Sequence, residues 1–66
     1  MKIRVNGKEE NIGFEITLLE FLNQKGLDKD KVVVEHNAKI VNRNDLSYVV
    51  AKEKDIVEIV SFVGGG

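Results

Sequence analysis

One stretch of this 66-residue chain has the spacing of a helix, and the segments around it read mostly as short strands. Thr17-Leu18-Leu19-Glu20 opens it, with Thr17 placed to cap an early helical N–H and Glu20 to reach back in a capping box. Leu18, Phe21 and Leu22 then form an apolar stripe, with Leu19 on its margin. Lys25 suits the negative end of the helix, Gly26 is a left-handed terminator, and Leu27 is expected to fold back over the end. A helix this short must cover its stripe with something else. A chain of this length buries only about 60% of the surface its unfolded form exposes. It has no cysteine, so neither a disulfide nor a sulfur-ligated zinc can compensate. Helix and strands therefore have to share one core.

The strands that could supply it are legible. Lys2-Ile3-Arg4-Val5 alternates polar and apolar residues. Asn6-Gly7 follows, and both residues tolerate the positive φ of a type I′ hairpin turn. A second strand is expected from Glu9 to about Phe14, with Ile12 and Phe14 on one face. Val32-Val33-Val34 is β-branched and reads as a buried strand continuing to Glu35 or His36. Asn37-Ala38 is a poorer turn than Asn-Gly, because Ala38 is strained at positive φ. Ile40 and Val41 form a short strand beyond it, and Asn44 is expected to cap a brief helical turn through Leu46 and Tyr48. Ile56 to Val63 is the longest β-prone run, with Val57 and Ile59 on one face and Ile56, Glu58, Val60 and Phe62 on the other.

The order β-β-α-β-β-(short helix)-β predicts an α+β fold, with the helix packed across one face of a mixed sheet of four to five strands. Right-handed crossovers favour a β-grasp, or ubiquitin-like, roll. In that roll the last strand lies parallel to the first, near the sheet centre. The expected division is a β-grasp domain over residues 1–63 and a flexible glycine tail over 64–66.

Ten basic residues against eleven acidic ones give a net charge of −1, and the signs are interspersed, as in Lys52-Glu53-Lys54-Asp55. Nucleic-acid binding, which needs a concentrated positive footprint, is not expected. No apolar run is long enough for a transmembrane helix. The amino terminus alternates, unlike a signal peptide's core. A cytoplasmic protein with no membrane association is the expectation.

Few residues offer chemistry. His36 is the only histidine and has no second histidine or cysteine at ligand spacing, so neither a metal site nor catalysis is expected of it. Beside a turn, an exposed imidazole is the ordinary outcome. Ser47 and Ser61 lack a nucleophile setting. Asp28, Asp30, Asp45 and Asp55 lie near loops and element ends, where solvated caps are the ordinary outcome. No acid–base pair is assembled, so the chain is not expected to be an enzyme. What remains is Gly64-Gly65-Gly66. It is no phosphate loop, since no Lys-Ser/Thr follows. Without Cβ atoms, however, it can lie against another protein's backbone and present a terminal carboxylate in a narrow channel. Phe62 is either core or, as its face-mate Glu58 suggests, an exposed anchor beside the tail. Phe62, Val63, Glu58 and Val60 are accordingly the candidate partner interface.

These segments resemble the ThiS family, the ubiquitin-like sulfur carriers of thiamine biosynthesis, along nearly the whole chain. Met1 to Lys8 resembles the family's opening hairpin, and Thr17 to Leu22 its helix start. Glu35, Asn37, Ile40-Val41 and Arg43 resemble its middle segment, and Asp55 to Gly66 its ending, where strand, aromatic and glycines occur together. Two positions depart from the family: Asn37-Ala38 stands where Asn-Gly is usual, and Lys52-Glu53-Lys54-Asp55 lacks the usual glycine. The resemblance implies that an E1-like adenylating enzyme (ThiF type), using ATP and magnesium, converts the Gly66 carboxylate to an acyl adenylate. Sulfur from a cysteine desulfurase-linked donor then replaces AMP, leaving a Gly66 thiocarboxylate for thiazole synthase (ThiG type). The carrier itself binds no cofactor and is expected to be a monomer when free. The small subunit of molybdopterin synthase, a carrier for another pathway, and a β-grasp interaction module without sulfur chemistry remain as alternatives.

Overall fold

The computed structural model describes residues 1–62. Strands β1 (Lys2–Val5) and β2 (Lys8–Asn11) form the expected hairpin, with Val5 paired to Lys8 across Asn6-Gly7. Asn6 and Gly7 have φ of 50° and 83°, as a type I′ turn requires. β2 is shorter than its sequence suggests. It stops at Asn11, and Gly13 turns the chain at φ 72°. Ile12 and Phe14 consequently do not share a buried face. Ile12 packs at the core margin while Phe14 is 73% exposed.

After β3 (Ile16–Thr17) comes the helix α1 (Leu18–Gln24). Its capping box is complete. Glu20 N–H donates to Thr17 Oγ1 at 3.1 Å, and Thr17 N–H donates to Glu20 Oε1 at 2.9 Å. A capping residue of this kind contributes about 1 kcal/mol. At the other end Gly26 is left-handed at φ 71°. Its N–H reaches Asn23 O, and the Leu27 N–H reaches back to Leu22 O. That pair of bonds is a Schellman termination, and it folds Leu27 back over the helix end.

A 3₁₀ turn (Lys29–Lys31) leads into β4 (Val32–His36), which pairs with β5 (Lys39–Val41). A second 3₁₀ turn (Arg43–Asp45) precedes β6 (Val50–Ala51) and β7 (Ile56–Ser61). That second turn is capped by Asn42, not Asn44. The Asn42 Oδ1 accepts the Asn44 N–H at 2.9 Å, as a capping asparagine two positions upstream can. The turn buries Leu46 and leaves Tyr48 exposed.

The main sheet has the order β2-β1-β7-β4-β5. β7 runs parallel to β1 through Arg4–Ile56 and Val5–Val57, and antiparallel to β4 from Val32–Ser61 to His36–Val57. The last strand is thus central, as expected. Helix α1 covers one face, and the core gathers Ile3, Val5, Ile16, Leu18, Phe21, Leu22, Val32, Val34, Leu46, Ala51 and Val57. A feature not expected is the short β3–β6 pairing, Ile16–Ala51 and Thr17–Val50, which ties the helix start to the segment before β7. No helix among the described residues is long and apolar enough to cross a membrane.

Candidate functional site

β7 alternates as its sequence requires. Val57 is fully buried and Ile59 half-buried beneath α1, while Ile56, Glu58, Val60 and Phe62 face outward. Phe62 is 52% exposed, so it belongs to the surface and not to the core. It stands beside Val60 and Glu58, three members of the expected interface brought to one face. The fourth, Val63, and the tail Gly64, Gly65 and Gly66 lie outside the described residues.

Two hairpin asparagines hold the strand that leads to the tail. Beyond the last β1 partner, the Asn6 N–H donates to Val57 O at 3.0 Å. Its side chain then replaces a missing backbone, with Oδ1 accepting from Ile59 N at 2.8 Å and Nδ2 donating to Ile59 O at 3.2 Å. From the other flank, the Asn37 N–H donates to Ile56 O at 2.8 Å, and Asn37 Oδ1 accepts from Ile56 N at 2.9 Å. In the sequence these asparagines read only as turn formers. Positive φ explains an asparagine at either position, so no local signal reveals the second role.

His36 and Asp55 also differ from expectation. Far from being a free imidazole and a solvated cap, they are half-buried partners, with His36 Nε2 at 2.7 Å from Asp55 Oδ2. Asp55 also accepts the Lys52 N–H at 2.8 Å and Asn37 Nδ2 at 3.2 Å. Burial by itself pushes the Asp55 carboxyl up. The bonds from His36, Lys52 and Asn37, with the attraction of the imidazole, outweigh it and leave the pKa below the ordinary 3.8. This cluster sits where β7 begins, whereas the tail leaves from the strand's far end, roughly 20 Å away at about 3.3 Å per residue. It anchors the start of the strand.

At the far end the Phe62 N–H donates to Lys31 O at 3.2 Å. Beside it lies an open groove of about 520 Å³, lined among others by Val33, Ile40, Arg43 and Phe62. Phe62 therefore borders both apolar surface and the Arg43 cation. Arg43 is itself paired with Asp30, at 3.5 Å.

A single helix gripped by a mixed sheet with a central, parallel last strand defines a ubiquitin-like β-grasp protein. The ThiS structure from Geobacter metallireducens superposes on it with a TM-score of 0.86, at 29% identity and with full coverage of both chains. The chain belongs to the ThiS family, whose profile matches residues 3–66. The sulfur carrier protein ThiS of Bacillus subtilis (strain 168) is 32% identical over 65 residues, covering 97% of this chain and 98% of that protein. A thiazole synthase of Paramagnetospirillum magneticum is 39% identical over all 66 residues, but the chain spans only 20% of its length.

Proposed function

We propose that the chain is a sulfur carrier protein of thiamine biosynthesis and that Gly66 is the residue loaded. The observation that carries this reading is the family match over residues 3–66, which takes in β7 and the run Gly64-Gly65-Gly66 together. The chemistry suits those residues. A carboxylate is a poor electrophile. Attack of a Gly66 carboxylate oxygen on the α-phosphate of magnesium-bound ATP, with loss of pyrophosphate, makes an acyl adenylate. The outer sulfur of a persulfide supplied through a cysteine desulfurase then displaces AMP to give an acyl disulfide. A thiol attacking that disulfide's S–S bond releases the Gly66 thiocarboxylate, while the two donor sulfurs are left joined as a disulfide. Glycine leaves the attacked carbon unhindered and lets enzyme backbone approach closely. Three residues reach roughly 10 Å, so the body can stay outside the active site.

The body is the handle. Glu58, Val60 and Phe62 lie on an exposed face continuous with the tail root, where a ThiF-type adenylating enzyme and a ThiG-type thiazole synthase would dock in turn. The thiazole synthase that contains a segment like this chain supports the second partner. The chain acts as co-substrate and not as enzyme, and ATP and magnesium belong to the activating partner. The cytoplasm is the compartment this function assigns.

Intact-mass measurement after incubation with a ThiF-type enzyme, ATP, magnesium and a sulfur source tests the proposal. The expected change is one oxygen replaced by one sulfur, located on Gly66 by fragmentation and abolished by deleting Gly65 and Gly66. The same spectrum shows whether the functional protein ends at Gly66. Absence of exchange in the wild-type chain would falsify the sulfur-carrier function. Loss of the protein in its host should create a requirement for thiazole; a requirement for a pterin product instead would reassign the pathway.

A further inference from the structure

The register of β4 and β7 sets Glu35 directly opposite Glu58. Residues so paired share a face, with Cβ atoms about 5 Å apart, and like charges in that arrangement destabilise a sheet. Both side chains leave the sheet on the side away from α1, since their neighbours Val34 and Val57 are buried beneath it. Neither takes part in an ion pair among the described residues. The ion pairs among the described residues are Lys25–Glu10, His36–Asp55 and Arg43–Asp30.

Around this acid pair the same face is apolar. Val33 lies opposite Val60, Ile40 lies opposite Glu35, and Val33, Ile40, Ile56, Val60 and Phe62 are all exposed. A hollow lined by Glu35, Ala38, Ile56 and Glu58 opens between the β4–β5 turn and β7. An apolar collar around two unneutralised carboxylates has a specific complement. It is a cation that is weakly hydrated and can bond two acceptors at once.

We propose that this face is where the activating enzyme docks, and that the enzyme presents an arginine between Glu35 and Glu58; the proposal rests on the sulfur-carrier reading. Guanidinium matches on both counts. Its planar fork carries five donors and so reaches both carboxylates, and it loses less hydration than an ammonium in an apolar surround. A second copy of this chain is the wrong occupant, because a twofold contact through this face sets acid pair against acid pair. The face runs into Phe62, so an enzyme that takes the tail must cover it.

Binding of the full chain to a ThiF-type adenylating enzyme, measured by calorimetric titration at low and high salt, provides the test. The double variant Glu35→Gln, Glu58→Gln should bind about ten- to a hundredfold more weakly at low salt and lose most of its salt dependence. Its thermal midpoint should equal or exceed that of the wild type, because the repulsion is gone. A merely structural role would lower that midpoint. Wild-type affinity in the double variant, with sulfur still loaded, overturns the arginine bridge and leaves the carrier function standing. Tight binding without oxygen-for-sulfur exchange overturns the carrier function and leaves the docking to be judged on the double variant. A wild-type chain that does not bind the enzyme overturns both. A wild-type dimer in sedimentation that Val60→Glu disperses assigns the face to a second copy and also overturns the bridge.

Discussion

The two ends of β7 are built to opposite ends. Where the strand begins, Asp55 collects bonds from His36, Lys52 and Asn37, and Ile56 is gripped through both backbone groups by Asn37. Where it ends, Ser61 pairs only with Val32 on β4, one N–H reaches Lys31 O, and Val60 and Phe62 stand exposed. The first end spends polar contacts on fixing the strand's position. The second leaves apolar surface exposed next to the segment that the proposed function hands to an enzyme. A carrier needs both, because a tail can be aimed only from a fixed base and docked only through a face its own fold has not covered.

The largest way to break this contrast is to damage each end and see which property fails. Deleting Gly65 and Gly66 should abolish sulfur loading entirely and leave the denaturant midpoint where it was. Asp55→Ala should do the reverse. It strands the Lys52 N–H and removes the partner of a half-buried imidazole, so a loss of about 2–3 kcal/mol is expected by urea denaturation. The fraction that remains folded should still accept sulfur. Loss of loading in that folded fraction would show that the two ends are not separable.

Acid sharpens the same contrast at smaller cost. The folded-state pKa of Asp55 lies below the 3.8 of the free group. A carboxyl depressed by folding stabilises above its unfolded pKa, and the stabilisation disappears as pH falls through the folded value. The stability gap between the wild type and Asp55→Asn should therefore shrink progressively as pH falls from about 5 to below about 4. A gap that stays constant through that range would mean the carboxylate charge contributes nothing there.

Local features of this architecture were legible in the chain and tertiary ones were not. The Thr17–Glu20 box, the Gly26 termination and the Asn6-Gly7 hairpin each depend on residues within a few positions, and all formed as read. Strand parity also carried Val57, Ile59 and Phe62 to their correct faces. Parity failed at Phe14 because the left-handed Gly13 reset the direction of the chain. The His36–Asp55 contact spans 19 positions and the Asn6–Ile59 clamp spans 53, so both arise only once the sheet has set its register. The facing of Glu35 and Glu58 has the same origin. Neither residue is notable alone, and their opposition exists only in the β4–β7 ladder. The chemistry proposed for the tail rests on residue type and family resemblance, because glycine offers no side-chain geometry to interpret.

The two hairpins supply the smallest and cleanest comparison. Asn6-Gly7 and Asn37-Ala38 are both two-residue turns with positive φ throughout, and both asparagines clamp β7. They differ in the second residue, since Ala38 holds φ of 72° where Gly7 holds 83°. A side chain in that region is disfavoured by roughly 1–2 kcal/mol. Replacing it with glycine relieves the strain but adds about 0.4–1 kcal/mol of backbone freedom to the unfolded chain. Ala38→Gly should therefore raise stability by about 0.5–1 kcal/mol in urea denaturation, the difference of those two effects. Lys54, at φ 71° within the Lys52-Glu53-Lys54-Asp55 segment, should behave alike. Both departures from the family pattern thus fall in segments that hold a left-handed residue near the anchored start of β7. If Ala38→Gly destabilises instead, the β4–β5 turn is held by contacts of the Ala38 methyl group, and the two hairpins are not equivalent clamps.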